Sequence, residues 1–266
     1  MHAVDYVRPS TVDEAVAALA NEEAVALAGG QTLLPTMKQR LAAPSAVVDL
    51  RGIADLSGIV VQGGSVSIGA TTTHAQVAGN AELKKSLPAL CALADGIGDP
   101  QVRHMGTIGG SVANNDPAAD YPAAMLGLGA TIKTNTRKIA ADDFFQGLFT
   151  TALDAGEIIT GITMAVPKRA AYAKFEQRAS RYALVGVFVA ETDGGVRVAV
   201  TGAGNDGVFR ATAIEQALAG SLSGDAARGV SISPDDMLSD IHAGGDYRAA
   251  LVSEMAAQAV EKMLAA

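Results

Sequence analysis

The chain has 266 residues, of which 49% are hydrophobic and 18% are charged, and it contains no long tract of biased composition. This composition is typical of a globular protein with a substantial core, and the length suits one large or two modest domains, of which we favour two. The formal net charge of -8 and the pI near 5.0 argue against a DNA or RNA partner, because nucleic-acid binding requires clustered lysine and arginine.

Metal and disulfide chemistry find little support in the sequence. The single Cys91 lies in the apolar run 87–94, where core packing is its simplest role, and one thiol holds neither an internal disulfide nor an iron–sulfur cluster. The four histidines lack the paired spacing of a zinc site, so we predict no metal ligands. Because we find no signal-like N-terminus and no apolar run of about 18 residues, we expect a soluble, cytoplasmic protein.

The first fifty residues predict a helix followed by a β-loop-α-β unit. Thr11 and Glu14 have capping-box spacing before an apolar series, so we expect the first element of the chain to be helical. A strand-like run then leads into Gly29 and Gly30, and a helix with Pro35 in its first turn follows them. The predicted elements are a helix from 11, a strand at 24–28, a helix at 33–41 and a strand at 46–50.

The rest of the chain divides at residues 167–169 into two patterns. A hairpin and a helix-rich stretch precede this point, whereas two long strand-like runs joined by a glycine turn follow it. The change of pattern makes 167–169 the best candidate for a domain boundary. The predicted elements are a hairpin at 59–70, helical segments at 83–94, strands at 130–134, 158–166, 183–192 and 196–201, and helices at 212–218 and 247–264.

The segment AGGQTLLP, residues 28–35, places two glycines between a predicted strand and a predicted helix. Free backbone N–H groups at such a position suit a pyrophosphate, and Thr32 adds a hydroxyl. From this loop alone, a tight turn without a ligand remains an open alternative. The chain has no G-x-G-x-x-G after a strand and no G-x-x-x-x-G-K-[ST], so neither a nicotinamide Rossmann site nor a P-loop is predicted.

A second segment, QVRHMGTIGGSVANNDPAAD at 101–120, contains a predicted glycine loop at 106–111 and concentrates glycines, small hydroxyls, amides and two carboxylates. Asp120 has two possible roles: it accepts hydrogen bonds from ligand hydroxyls, or it caps the helix that starts after it, which the residues alone favour slightly. Asp116, before a proline, is a candidate turn residue. Arg103 is a candidate surface or ion-pair residue.

These two segments, extended as AGGQTLLPTMKQRL and DPQVRHMGTIGGSVANNDPAADYPA, resemble the two flavin-binding motifs of the medium subunit of molybdenum hydroxylases. That is the carbon monoxide dehydrogenase and xanthine dehydrogenase family in its separate-subunit bacterial form. The resemblance continues in YVRPSTVDEAVAAL near the N-terminus and in KFEQRASRYALVGV after residue 167, so it covers almost the whole chain.

The resemblance implies an α+β fold that binds FAD non-covalently. It implies a PCMH-type FAD-binding domain at 1–167, with subdomains at about 1–55 and 56–167, and a smaller α/β domain with an antiparallel sheet at 168–266. By position, 28–33 would wrap the pyrophosphate, while 107–111 would contact the diphosphate and ribityl region through backbone groups. The implied cofactor-binding residues are Ala28, Gly29, Gly30, Gln31, Thr32, Leu33, Ile97, Thr107, Ile108, Gly109, Gly110, Ser111, Asp120, Ile159 and Tyr182.

The resemblance gives particular expectations for three of these side chains. The resemblance assigns Asp120 to ligand hydroxyls rather than to a helix cap. Tyr182 falls where some relatives place an aromatic ring against the isoalloxazine, with a half-buried strand tyrosine as the alternative. Ser111 departs from the family, which often has Asn or Asp there, so its side-chain contact is open although its backbone role survives.

The function implied by the resemblance is electron transfer within a complex. A large molybdopterin subunit and a small subunit with two [2Fe-2S] clusters would be the partners, in a dimer of heterotrimers, and an external acceptor would take the electrons. The chain lacks the cysteine-rich insert of some relatives, so electrons would enter directly from a partner's cluster. We expect no catalytic acid or base in this chain. The alternatives are a stand-alone FAD-dependent oxidoreductase and a non-enzymatic interaction module.

Overall fold

The computed structural model describes residues 1–266 and contains fourteen strands and twelve α-helices. The strands are β1 (Asp5–Val7), β2 (Ala24–Leu27), β3 (Ala46–Asp49), β4 (Ile59–Gln62), β5 (Ser65–Gly69), β6 (Thr131–Thr134), β7 (Lys138–Ala140), β8 (Phe145–Gly147), β9 (Thr150–Thr151), β10 (Ile159–Ala165), β11 (Arg169–Glu176), β12 (Ala183–Thr192), β13 (Gly195–Gly204) and β14 (Gly207–Arg210). The helices are α1 (Val12–Leu19), α2 (Leu33–Lys38), α3 (His74–Gly79), α4 (Ala81–Ser86), α5 (Pro88–Asp95), α6 (Pro100–Met105), α7 (Ile108–Asn114), α8 (Asp120–Gly127), α9 (Ala141–Phe144), α10 (Thr212–Gly220), α11 (Gly224–Arg228) and α12 (Gly245–Ala265).

The N-terminal part is a three-stranded parallel sheet with strand order β1-β3-β2. The expectation that the chain begins with a helix is wrong, because β1 precedes α1; its three exposed residues carry no periodic signal. Thr11 caps α1 as predicted, since its Oγ1 accepts from the N–H of Glu14 at 3.2 Å. Helix α2 ends at Lys38 rather than at 41, and Arg40 just beyond it adopts the left-handed conformation at φ 62°.

The middle part is a five-stranded antiparallel sheet with strand order β4-β5-β10-β6-β7. The predicted hairpin at 59–70 is confirmed as β4 and β5, and the predicted strands at 130–134 and 158–166 are confirmed as β6 and β10. Helices from the middle part cover this sheet and form with it the largest core cluster, which includes the fully buried Tyr121 and Phe144. Cys91 belongs to this cluster, as its apolar surroundings predict.

The C-terminal part is a four-stranded antiparallel sheet with strand order β11-β12-β13-β14. Helix α12 packs on one face of this sheet and α8 of the middle part packs on the other. Strand β12 is therefore buried on both faces over most of its length, which explains its nearly continuous apolar sequence. The predicted α+β class and the antiparallel C-terminal sheet are both confirmed.

The sheets follow the predicted divisions of the chain, although the core does not stop at residue 167. Phe188, Ala190 and Ala199 of the C-terminal sheet belong to the same core cluster as α8. A Cβ at Gly127 of α8 would lie 2.8 Å from the Phe188 ring, so glycine permits this close packing. The boundaries at 55 and 167 stay predictions. None of the helices is long and apolar enough to cross a membrane.

Candidate cofactor-binding cleft

A cleft of about 800 Å³ opens where the three parts of the chain meet. Of the fifteen residues implied as cofactor-binding, all except Ile108 line it. Ile108 is fully buried beneath the cleft wall. The main wall segments are 25–33, 97–100, 106–107, 109–111, 157–159 and 179–182, together with Asp120 at the start of α8. The structure therefore brings together residues that are more than 150 positions apart in the chain.

The first glycine segment presents a row of unused hydrogen-bond donors. None of the six consecutive backbone N–H groups of 28–33 donates a hydrogen bond within the protein. Gly30 has a φ of 71°, a conformation that favours glycine, and the turn is closed by the Leu34 N–H donating to the Gly30 carbonyl at 3.1 Å. Gln31 also folds back, with its Nε2 donating to the carbonyl of Gly29 at 3.1 Å. Converging N–H groups without acceptors form an anion-binding concavity.

The second glycine segment differs from the predicted loop, because Gly109 and Gly110 lie in the first turn of α7. Four of its backbone donors are already used. The N–H groups of 108 and 109 donate to the Thr72 and Ala70 carbonyls at 3.0 and 2.9 Å, and those of 110 and 111 donate to Thr107 Oγ1 and its carbonyl at 3.1 and 3.0 Å. The N–H of Thr107 and the hydroxyl of Ser111 remain without a partner inside the protein.

The two segments are in direct backbone contact. A Cβ at Gly29 would collide with the carbonyl oxygen of Met105 and would lie 2.6 Å from the Cα of Gly106. A Cβ at Gly110 would lie 3.6 Å from the Cβ of Ala28. Glycine is thus required at position 29 for close approach, and this contact forms one end of the cleft.

Asp120 is a buried carboxylate of the cleft that contacts two residues of the C-terminal sheet. The cap of α8 is Ala119, and the Asp120 side chain makes no capping hydrogen bond, so the capping alternative is wrong. Its Oδ1 accepts from the hydroxyl of Tyr172 at 2.6 Å and lies 3.0 Å from Nζ of Lys174. Burial raises the pKa of Asp120, while Lys174 and Tyr172 act in the opposite direction.

Sequence reasoning missed Tyr172 and Lys174 as parts of the site. Both lie on β11 two residues apart, so they share one face of the C-terminal sheet. Two polar residues at this spacing within a strand were the sequence pattern that could have indicated a shared role. Their partner, Asp120, lies 52 residues before Tyr172 in the chain, which no local pattern reveals.

The C-terminal sheet also holds the segment that leads into Asp120. The Thr201 hydroxyl lies 3.0 Å from the Pro117 carbonyl and 2.7 Å from the Ala119 carbonyl, and the Gly202 N–H donates to the Pro117 carbonyl at 2.8 Å. Asp116 has the predicted turn role, because its Oδ1 accepts from the Ala118 N–H at 2.9 Å.

Tyr182 borders the cleft from a loop, whereas Arg103 lies in α6 outside the lining. Tyr182 is 54% exposed, which agrees with the half-buried alternative, but it lies between β11 and β12, one residue before β12 begins, and not within a strand. Arg103 stabilises the wall segment that contains Ile97, because its Nη1 donates to the carbonyls of Ile97 and Gly98 at 3.1 and 3.2 Å. Ile97 and Ile159 also line the cleft, and their contact with a cofactor stays a prediction.

His74 is a third residue of the cleft that sequence reasoning missed. It borders the cleft, is only 5% exposed, and its Nδ1 has no hydrogen-bond partner. Its ring lies 5.3 Å from that of Tyr121, whose hydroxyl is also buried without a partner. Burial, and secondarily the charge of Arg103, lower the pKa of His74 to about 4, so the imidazole is neutral at pH 7.

The fold and the cleft define a protein that binds an organic cofactor with an anionic centre. Comparison with known families places it more closely: residues 2–168 match the model of the FAD binding domain in molybdopterin dehydrogenase. The chain belongs to this family, and the predicted resemblance is confirmed. It is an FAD-binding medium subunit of the molybdenum hydroxylase class and thus an oxidoreductase subunit.

Characterised relatives agree with this assignment. The carbon monoxide dehydrogenase medium chain of Afipia carboxidovorans is 43% identical over 200 residues, which cover 72% of this chain and 69% of the relative. The nicotine 6-hydroxylase medium subunit of Paenarthrobacter nicotinovorans is 35% identical over 268 residues, which cover 95% and 94% of the two chains.

Solved structures share the whole fold. A chain of the cyanide-inactivated Cu,Mo-CO dehydrogenase superposes with a TM-score of 0.91 at 37% identity, covering 98% of each chain. A chain of quinoline 2-oxidoreductase from Pseudomonas putida 86 gives a TM-score of 0.88 at 28% identity, covering 98% of this chain and 97% of the other.

Proposed function

We propose that this chain is the electron-transfer subunit of a molybdenum hydroxylase complex. A partner subunit with [2Fe-2S] clusters would supply electrons, and an external acceptor would remove them. FAD, when bound, supplies the redox chemistry that connects one-electron and two-electron carriers. The observation that carries this proposal is the row of six unused N–H donors at 28–33 in a cleft large enough for an organic cofactor.

The residues of the cleft divide by chemistry. We assign Ala28, Gly29, Gly30, Gln31, Thr32 and Leu33 to the pyrophosphate, because they line the cleft and their N–H groups make no hydrogen bond within the protein. Thr107 and Ser111 contribute one N–H and one hydroxyl, and Gly109 and Gly110 allow the close packing of the wall. Ile108 keeps a packing role beneath them.

The other walls of the cleft would contact the hydroxyls and the ring system of the cofactor. Asp120 would accept from cofactor hydroxyls through the carboxylate oxygen that Tyr172 and Lys174 leave available, since both donors act on Oδ1. Ile97 and Ile159 would exclude water, and the Tyr182 ring would cover one side of the isoalloxazine.

Charge in the cleft supports binding by backbone dipoles. Arg181 is the only lysine or arginine among the lining residues, whereas Asp99, Asp116, Asp120 and Glu157 are acidic. A pyrophosphate in such surroundings depends on oriented N–H groups for its stabilisation. The net charge of -8 is therefore compatible with an anionic cofactor.

We also propose partner subunits for this chain. The two relatives are named medium chain and medium subunit, which supports a large molybdopterin subunit and a small [2Fe-2S] subunit as partners here. We propose a dimer of such heterotrimers located in the cytoplasm. The substrate would be set by the large molybdopterin subunit of the proposed complex.

The test compares the chain alone with the chain co-expressed with the neighbouring large and small subunit genes. The purified chain should take up FAD, and substrate should bleach the flavin absorbance only when both partners, molybdenum and iron are present. NAD, a quinone and oxygen are then compared as acceptors by the rate of flavin reoxidation. Bleaching of the isolated chain by a substrate would instead indicate a stand-alone oxidoreductase. Failure to take up FAD would refute the proposal.

A further inference from the structure

One lysine outside the cleft lining connects three of its walls. Lys174 lies on β11, and its side chain is only 9% exposed. Its Nζ lies 2.9 Å from the carbonyl oxygens of Gly96 and Arg181 and 3.0 Å from Oδ1 of Asp120. An ammonium group has three N–H donors, so these three acceptors satisfy it completely.

The three acceptors belong to three separate segments. Gly96 precedes the wall 97–100, Asp120 begins α8, and Arg181 adjoins Tyr182 in the loop between β11 and β12. No element of secondary structure links these segments directly. Lys174 is therefore the common point at which the C-terminal sheet fixes the relative positions of three cleft walls.

The surrounding structure is adapted to this arrangement. Tyr172, on the same face of β11, donates to the same carboxylate oxygen of Asp120. A Cβ at Gly186 of β12, which pairs with Lys174, would collide with the hydroxyl of Tyr172. Glycine at 186 thus leaves the space in which the tyrosine reaches Asp120.

We infer that Lys174 is a positioning residue for the cofactor, which fixes the orientation of Asp120 and neutralises its charge beside the cleft. This inference rests on the proposed function. Removing the ammonium would leave a buried carboxylate without its partner, a strongly unfavourable state. It would also release the carbonyls of Gly96 and Arg181 from their common donor.

The positive charge of Lys174 should also affect how tightly the reduced cofactor binds. Reduction adds negative charge to the flavin, and an uncompensated Asp120 carboxylate repels that charge. Loss of Lys174 should accordingly weaken the binding of reduced FAD more than that of oxidised FAD. If the affinity for reduced FAD falls tenfold more than the affinity for oxidised FAD, the midpoint potential of the two-electron couple falls by about 30 mV.

The experiment uses the full-length chain and measures FAD affinity and flavin midpoint potential together. Lys174→Met should weaken oxidised FAD about tenfold and lower the midpoint potential. Lys168→Met is the matched control, because Lys168 is 59% exposed and its only ion pair, with Asp193, is 3.8 Å long. It should leave both quantities unchanged. Adding Asp120→Asn to Lys174→Met should restore the midpoint potential, because the amide leaves no uncompensated charge.

Tyr172→Phe is the second variant, and it keeps the test decisive if Lys174→Met does not fold. It removes one donor to Oδ1 while keeping the ring, and it should lower the midpoint potential by a smaller amount. Unchanged midpoint potentials in the soluble variants would overturn the inference, whatever the affinity does. If the unaltered chain takes up no FAD, the proposed function has failed instead.

Discussion

Replacing Gly29 with alanine tests whether contact between the two glycine segments is needed for cofactor binding. The added Cβ would lie 2.6 Å from the Cα of Gly106 and would collide with the Met105 carbonyl, both rigid backbone atoms. Carbon atoms in contact normally lie about 3.5–4.0 Å apart, so the segments must separate by about 1 Å. Overpacking of this kind costs about 1–3 kcal/mol.

The FAD-free protein can relieve the overlap by letting the segments separate, whereas the bound state requires them together. The cost should therefore appear mainly in binding, as an FAD dissociation constant raised about 5- to 150-fold. Titration by flavin fluorescence at 25 °C measures the change in the dissociation constant. Thermal unfolding of the FAD-free protein measures the part of the cost that lowers its stability.

Gly79→Ala in α3 is the control, because a Cβ there meets nothing within 4 Å. A helical glycine replaced by alanine should gain about 0.4–1 kcal/mol of stability, with FAD affinity unchanged. If Gly29→Ala binds FAD as tightly as the unaltered chain, the contact between the segments is not part of the site and the reasoning is refuted.

Three further results are expected. Thr107→Val removes the hydroxyl that accepts from the Gly110 N–H, so the FAD-free protein should lose about 1 kcal/mol and about 2–4 °C in melting temperature. Below pH 6.5 the unfolded chain protonates His74 while the folded chain does so only near pH 4, so stability should fall by about 3 kcal/mol over this window. Urea unfolding should show this loss, and His74→Gln should lack it; an equal loss in both would assign it to other groups. Cys91 is buried, which raises its thiol pKa, so a thiol reagent should react only as fast as the protein unfolds.

Much of the fold could be predicted because its signals are local. Gly29 and Gly30 stand between an apolar strand and an amphipathic helix, and the period-2 pattern of 59–70 identifies a hairpin. Strand β12 was recognisable from its length and β-branched content. The short β1 was missed because three exposed residues supply no pattern; it is a strand only because it pairs with β3.

The candidate site was less predictable where tertiary contacts decide the conformation. Glycine disfavours helix, so Gly109 and Gly110 read as a loop. They are helical because Thr107 caps α7 and because Gly109 packs so closely on Ala70 that a Cβ would lie 2.6 Å away. Likewise, the resemblance indicates a role for Asp120 but not its partners, because Lys174 meets it only after the C-terminal sheet docks on α8.

The site thus uses two kinds of electrostatics in two different parts of the chain. At 28–33, neutral backbone donors would hold the pyrophosphate under the proposed function, so the affinity there should depend on loop geometry and be insensitive to pH. At Asp120, a buried ion pair connects the start of α8 with the C-terminal sheet, so the charge at this wall of the cleft depends on how the sheet packs against α8. A substitution in the first region should therefore change FAD affinity alone, whereas one in the second should also change the flavin potential. If Lys174 acts as we infer, the C-terminal sheet contributes to the redox site through this ion pair.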